Sequence, residues 1–324
     1  MTIGVIGGGA WGTALAQVAA ESNDVLLWAR EPEVAGAINS AHENIVFLPG
    51  VPLSPAIRAT GTLDDLSECE MLLVVAPAQH LRAVLSEAPR ADVPLLLCAK
   101  GIEAGTRLLM SEVAAQVQPR APIAVLSGPT FAHEVAARLP TAVTLACEDE
   151  ALGRSLAEKI ARPFFRPYLS TDVIGAEIGG AVKNVLAIAC GIVEGRGLGQ
   201  NARAALISRG FAEMTRFGLA KGARAETLAG LSGLGDLVLT CSSTSSRNFS
   251  LGVGIGQGRA ASELLADRKS VAEGAFTAPV LQEAAREIGV EMPVVDAVCT
   301  LLAGRAGVNE VIGALLSRPI RAEG

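Results

Sequence analysis

The chain has 324 residues, half of them apolar and 19% charged, with a net charge of −6. That balance excludes an intrinsically disordered chain and a general polyanion binder, and an aromatic content of only 3% argues against stacking single-stranded nucleic acid. The length suits two domains of about 150 residues each.

The first twenty residues carry no charge and are broken by Gly4, Gly7, Gly8, Gly9 and Gly12. They lack the basic leading segment of a signal peptide, so a soluble protein without a targeting segment is expected. The first strand, Thr2–Ile6, runs into Gly7, Gly9 and Gly12, a G-x-G-x-x-G spacing that opens a helix over Trp11–Ala20. Strand, glycine loop and helix in that order point to a dinucleotide site. Gly7 permits the tight turn, Gly9 lets the backbone approach a pyrophosphate, and Gly12 allows close helix packing. The helix N-terminus then offers free N–H groups to phosphates. The alternative is an ordinary tight turn.

The second strand, Val25–Trp28, is followed by Ala29-Arg30 rather than by the acid that commonly binds a ribose 2′-hydroxyl. Arg30 fits a 2′-phosphate, or it pairs with Glu31 or Glu33. Asn44–Thr60 reads as loop, with Pro49, Pro52 and Pro55. Further strands are predicted at Met71–Ala76, Leu95–Ala99, Ile123–Leu126 and Thr141–Leu145, with a helix over Thr106–Gln116. Continuous apolar runs of this kind suit a doubly wound parallel sheet covered on both faces. Lys100 follows the fourth of these six runs. It stands where ligands of open parallel sheets bind, a position shared by ordinary surface lysines. Ser127-Gly-Pro-Thr-Phe-Ala follows another strand end, and His133-Glu134 reads as a solvated helix start.

Beyond Ser170 helical patterns dominate: Ile178–Glu194, Asn201–Phe217, Val271–Ile288 and Pro293–Ala303. The predicted architecture is α/β then all-α, with a dinucleotide-binding unit over 1–172 and a helical substrate-binding unit over 173–324. Ile178–Val193 comes nearest to a membrane span, but Lys183 and Asn184 interrupt it. No membrane insertion is expected. Lys183 has Gly179, Gly180, Ala187 and Cys190 as helical neighbours and no acid at i±3 or i±4. Small neighbours let another body approach, and a partly desolvated amine can exchange a proton near neutral pH. The alternative is a lysine reaching solvent from an exposed face.

Asp236 and Thr240, four apart, follow the glycine-rich Gly230-Leu-Ser-Gly-Leu-Gly. Asp236 is a catalytic candidate or a simple N-cap. Ser242–Ser246 is a candidate binding loop. Ser246-Arg247-Asn248 offers one fixed cation and two short hydrogen-bonding side chains, an anion clamp or merely a polar loop. Six scattered cysteines without C-x-x-C spacing, and only three histidines, give no metal site and fit a reducing cytoplasm.

Together these motifs resemble the bacterial-type NAD(P)-dependent glycerol-3-phosphate dehydrogenases. The resemblance rests on Gly7-Gly-Gly-Ala-Trp-Gly-Thr-Ala, Ala99-Lys-Gly, Ser127-Gly-Pro-Thr-Phe-Ala, Gly179-Gly-Ala-Val-Lys-Asn-Val, Gly233-Leu-Gly-Asp-Leu-Val-Leu-Thr-Cys, Ser246-Arg-Asn and Val271-Ala-Glu-Gly. They span nearly the whole chain. The resemblance implies an oxidoreductase interconverting dihydroxyacetone phosphate and sn-glycerol 3-phosphate with NADP or NAD, at the head of phospholipid synthesis. Arg30 leans the choice towards NADP, but a basic residue there is not a strict family feature, so the preference stays open.

The resemblance also implies roles. Lys183 is the general acid/base, with Lys100, Asp236, Asn184 and Thr240 around it. Lys100, Gly128, Thr130, Ser246, Arg247 and Asn248 touch the substrate. Gly7, Gly9, Ala10, Trp11, Gly12, Arg30, Lys100, Ala132, Arg247, Val271 and Glu273 touch the cofactor. The likeness breaks once: where relatives often carry Pro-Ser-His-Val-Phe, this chain has Pro77-Ala-Gln-His-Leu. Leu81 thus takes the place of an aromatic, and His80 inherits no role.

Two other classes fit less well. A β-hydroxyacid dehydrogenase or ketopantoate reductase binds a carboxylate and usually separates Lys from Asn, which are adjacent here. A non-catalytic NADP sensor would need neither Lys100 nor Lys183. No nucleic-acid partner is expected, and a homodimer is left open.

Overall fold

The computed structural model describes residues 1–90, 92–266 and 272–319. Eight strands form one sheet: β1 (Thr2–Ile6), β2 (Asp24–Trp28), β3 (Ile57–Thr60), β4 (Met71–Val74), β5 (Leu95–Leu97), β6 (Ile123–Ser127), β7 (Thr141–Ala146) and β8 (Phe165–Ser170). Their spatial order is β3-β2-β1-β4-β5-β6-β7-β8. All neighbours run parallel except β6 and β7. The six apolar runs of the sequence are strands. Alternate residues of each run enter different cores: Ile3, Val5, Leu73 and Leu96 pack on one face, Ile6, Leu72, Val74 and Leu97 on the other. Both faces are covered, so the runs need no polar alternation.

Two strands escaped the sequence reading, and both are sheet edges. β3 lies inside the proline-rich stretch taken for loop. β8 contains Arg166 and Pro167, and its outer residues Tyr168 and Leu169 are exposed. Proline is tolerated at an edge because no ladder partner needs its missing N–H.

From Val173 onward every regular element among the described residues is a helix. The 23-residue helix Val173–Gly195 is the axis of this half. It is apolar nearly all round, as a helix wrapped by others must be. It is long and apolar enough to cross a membrane, yet 94% of that stretch is buried inside the protein. The helices Gly199–Ala220, Arg247–Gly256 and Glu273–Glu287 surround it. The Arg247–Gly256 helix comes closest, because glycines face each other. A Cβ on Gly191 would strike the Phe249 carbonyl, and one on Gly252 the Ile188 carbonyl. The architecture is a Rossmann-like sheet unit followed by a helical unit.

One carboxylate joins the two halves. Glu177, in the long helix, is buried and accepts from the Ser111 N–H at 2.8 Å and the Ser111 hydroxyl at 2.5 Å. Burial pushes its carboxyl up from the ordinary 4.5 to about 7. Across that window the folded chain holds a proton that the unfolded chain has lost, so this group's contribution declines as pH rises through it. Glu177→Gln does not titrate. The variant is therefore expected to gain urea resistance relative to wild type from pH 4.5 to about 7 and then hold level. A difference in urea midpoints that stays constant with pH would remove Glu177 from the pH dependence.

Candidate active site

The turns after β1, β5 and β6 meet at one edge of the sheet, since these strands run parallel. Gly7 follows β1 with φ +127°, a conformation open chiefly to glycine. Gly12 packs on that turn: a Cβ there would meet the Gly7 carbonyl. Its smallness therefore serves the loop itself rather than the strand. A Cβ on Gly9 would meet nothing within 4 Å, so the cradle beside it is open. The helix Ala10–Ala19 begins there with no side-chain cap and no acid in its first turn. The N–H groups of its first turn have no side-chain partner among the described residues, which suits an anionic ligand. Ala10 and Trp11 are half-buried beside this opening. These features fit a bound dinucleotide.

Arg30, just past β2, is largely exposed, with Glu31 at 3.6 Å. Leu81 is fully buried in the core with Leu85, so it cannot offer a face to a cofactor, while His80 is exposed. Val271 lies outside the described residues.

Lys100 and Lys183 meet across the two halves on one carboxylate. Lys183 Nζ donates to Asp236 Oδ1 at 2.9 Å and to Thr240 Oγ1 at 2.9 Å. Lys100 Nζ donates to Asp236 Oδ2 at 2.6 Å and to the Gly128 carbonyl at 3.1 Å. Thr240 in turn donates to Asp236 Oδ1 at 3.1 Å. Asp236 is fully buried and Lys183 nearly so. Asp236 is not an N-cap: Gly235 holds that place, and Asp236 is the first residue of the helix Asp236–Thr240. That helix grows out of a wide turn, Leu231–Gly235, closed by the Gly235 N–H on the Gly230 carbonyl. Such turns recur at functional sites.

The small neighbours of Lys183 now have partners. A Cβ on Gly180 would stand 3.0 Å from Ser127 Oγ and 3.2 Å from Lys100 Cγ, and one on Gly179 would strike the Ser232 carbonyl. The glycine pair lets the sheet edge and the Leu231–Gly235 turn close on the long helix from two sides. Ser127 and Ser232 were not picked out from the sequence. Their hydroxyls are buried without a hydrogen-bond partner among the described residues.

Electrostatics follow from the geometry. Burial lowers the Lys183 amine to about 8, and the nearby Lys100 charge pushes the same way, against the pull of Asp236. Burial alone would raise the Asp236 carboxyl, but the two ammonium groups overcome it and hold it below the usual carboxylate range. Glu273 is half-buried, and desolvation raises its carboxyl despite Arg247, Lys183 and Lys100 nearby.

The Ser246-Arg247-Asn248 segment divides its tasks. Ser246 caps the helix Arg247–Gly256, accepting from the Phe249 N–H at 3.2 Å. Asn248 is buried, donating to Asn184 Oδ1 at 3.0 Å and accepting from the Gly274 N–H at 2.9 Å. Arg247 is exposed and makes no ion pair among the described residues. Gly128 and Thr130 follow β6, with Thr130 Oγ1 3.4 Å from the Gly128 carbonyl, and Ala132 opens the next short helix. His133 is exposed and Glu134 half-buried, with the two side chains 3.9 Å apart. All six cysteines are buried and free, and burial pushes the Cys98 thiol up to about 12.

The chain is similar to known proteins along nearly its whole length. Residues 2–153 match the family model for the NAD-dependent glycerol-3-phosphate dehydrogenase N-terminus, and residues 172–313 that for the C-terminus. A glycerol-3-phosphate dehydrogenase (NAD(P)+) of Sphingopyxis alaskensis is 64% identical over 322 residues, covering 99% of this chain and 98% of that one. Its counterpart from Caulobacter vibrioides is 61% identical over 325 residues, with the same coverage. The crystal structure of glycerol-3-phosphate dehydrogenase from Coxiella burnetii superposes with a TM-score of 0.93 at 37% identity, covering 98% of this chain and 99% of that one. On these grounds the chain belongs to the NAD-dependent glycerol-3-phosphate dehydrogenase family.

Proposed function

We propose that Lys183 carries the proton transfer in an NAD(P)-dependent oxidoreductase that interconverts dihydroxyacetone phosphate and sn-glycerol 3-phosphate. The observation that carries this reading is the Lys100–Asp236–Lys183–Thr240 cluster, centred on the buried Asp236 and reached by Lys100 from the same end of the sheet that carries the glycine loop. The nicotinamide, when bound, supplies or takes the hydride at the substrate's central carbon. The chain's own residues do the rest. Lys183 gives a proton to the carbonyl oxygen in one direction and takes it back in the other, with an amine tuned to about 8. Asp236 and Thr240 fix its direction. Lys100 adds positive charge where negative charge develops, and a buried setting strengthens that effect.

Gly128 and Thr130 line the substrate side. Arg247, with the free N–H groups of its helix start, holds the phosphate. Asn184 and Asn248 hold that helix against the long helix. Gly7, Gly9, Ala10, Trp11 and Gly12 take the cofactor's pyrophosphate side. Ala132 and Glu273 complete the cofactor's contacts. The proposal places the unit boundary at 172/173. The family resemblance further supports a place at the head of phospholipid synthesis, in the cytoplasm, and leaves a homodimer open. The test is oxidation of NADPH and of NADH with dihydroxyacetone phosphate, set against ketopantoate and a β-keto acid. Faster turnover of either acid would sink this reading.

Arg30 bears on the choice of cofactor. Its guanidinium is exposed, held only by a 3.6 Å ion pair with Glu31, and stands where a 2′-phosphate would need a cation. Arg30→Glu is expected to shift the ratio of the two kcat/KM values from NADPH towards NADH. A ratio unchanged within error would assign Arg30 to the solvated surface.

A further inference from the structure

We propose that Asn44 is a positioning residue for the cofactor: it turns the Gly8–Gly9 peptide so that the Gly9 N–H points out to the pyrophosphate. The proposal rests on reading the glycine loop as a dinucleotide site. Asn44 belongs to the stretch between the second βα unit and β3, far from any glycine motif in sequence, yet it is fully buried. Its amide nitrogen donates to the Gly8 carbonyl at 2.8 Å and to Thr13 Oγ1 at 2.8 Å. Its amide oxygen accepts from the Phe47 N–H at 3.0 Å. The Phe47 N–H can only donate, so the amide's orientation is fixed, with its NH2 group towards the glycine loop.

A trans peptide points its C=O and N–H in opposite directions, and this chain has no cis bonds among the described residues. Drawing the Gly8 carbonyl inward therefore turns the Gly9 N–H outward. There it meets no acceptor among the described residues, and the space beside Gly9 is empty. Thr13, fully buried one turn into the helix, receives the second Asn44 hydrogen and ties the same amide to the helix start. Without Asn44 the Gly8 carbonyl would be buried with only the long 3.5 Å contact from Thr13 Oγ1. The peptide would then be free to rotate, and an ordered donor to phosphate would become a disordered one.

Asn44→Asp is the sharpest variant. It keeps the size and the acceptor for Phe47 N–H but sets an oxygen against the Gly8 carbonyl. Calorimetry is expected to show the NADPH Kd rising by about tenfold or more, the scale of one lost charge-assisted contact. The KM for dihydroxyacetone phosphate at saturating NADPH should stay unchanged. A residue that only supported the fold would lower the thermal midpoint and leave Kd alone, so a folded variant with wild-type Kd overturns the proposal. The wild-type protein gives a second test that needs no variant. With 15N-glycine labelling, the Gly9 amide proton should move downfield when NADPH is added. NADPH binding that leaves the Gly9 amide unmoved overturns the role of Asn44. A wild-type protein that binds no NADPH overturns the dinucleotide reading beneath it instead.

Discussion

Lys183→Met is expected to lower turnover of dihydroxyacetone phosphate by about 10² or more, the usual contribution of a positioned acid or base, while the protein still folds and still binds NADPH. Folding should survive because Asp236 keeps Lys100 at 2.6 Å and Thr240 at 3.1 Å. The buried carboxylate is thus not left without a cation, the outcome that makes breaking a buried pair costly. Methionine keeps the stem's packing against a helix of small residues. Cofactor binding should survive because the glycine loop lies on the other half of the molecule.

The pH profile gives an independent sign. The amine must be protonated to reduce the ketone, so kcat should fall as pH rises through about 8, and glycerol 3-phosphate oxidation should rise through the same value. Both limbs should vanish in the Met variant. If the variant keeps more than about a tenth of wild-type turnover, a loss well short of the usual acid–base contribution, the proton comes from elsewhere, and Lys100 is the next group to replace. If NADPH binding is lost along with turnover, the lysine supports the fold and the mechanism fails at its centre.

Local pattern made the lysine visible and hid its partner. The sequence shows Lys183 with no acid at helical spacing, and along its own helix that holds. The acid comes from Asp236, 53 residues on, through a turn whose glycines let backbone press on Gly179. Helical periodicity carries no information on such a contact. The same limit explains the sheet. Strands buried on both faces are legible as apolar runs, but direction is not written in composition, so the reversal of β7 against β6 was not foreseen. Edge strands bury one side or less, and β3 and β8 accordingly look like loop. In sequence the Ser246-Arg247-Asn248 segment reads as an anion clamp or a polar loop. Only the fold separates the cap, the buried strut and the free cation.

That free cation is the basis of the second large effect. Arg247 is exposed at the start of a helix capped by Ser246, so its removal should cost little stability. No carboxylate among the described residues pairs with it; Glu273 is close enough to feel its charge but remains raised by burial. A guanidinium without an ion-pair partner among the described residues, at the start of a helix, suits a phosphate on two counts. Arg247→Ala is therefore expected to raise the KM for dihydroxyacetone phosphate by about ten- to a hundredfold, the equivalent of roughly 1.5–3 kcal/mol for a hydrogen bond to a charged group. Arg247→Lys should fall between, since it keeps the charge but loses the two-pronged fork. The family resemblance also implies a cofactor contact for Arg247, so the NADPH Kd must be measured on the same variants. A KM that does not move in Arg247→Ala would hand the phosphate to Lys100 and the backbone alone. A rise in NADPH Kd with KM unchanged would make Arg247 a cofactor ligand rather than a substrate one.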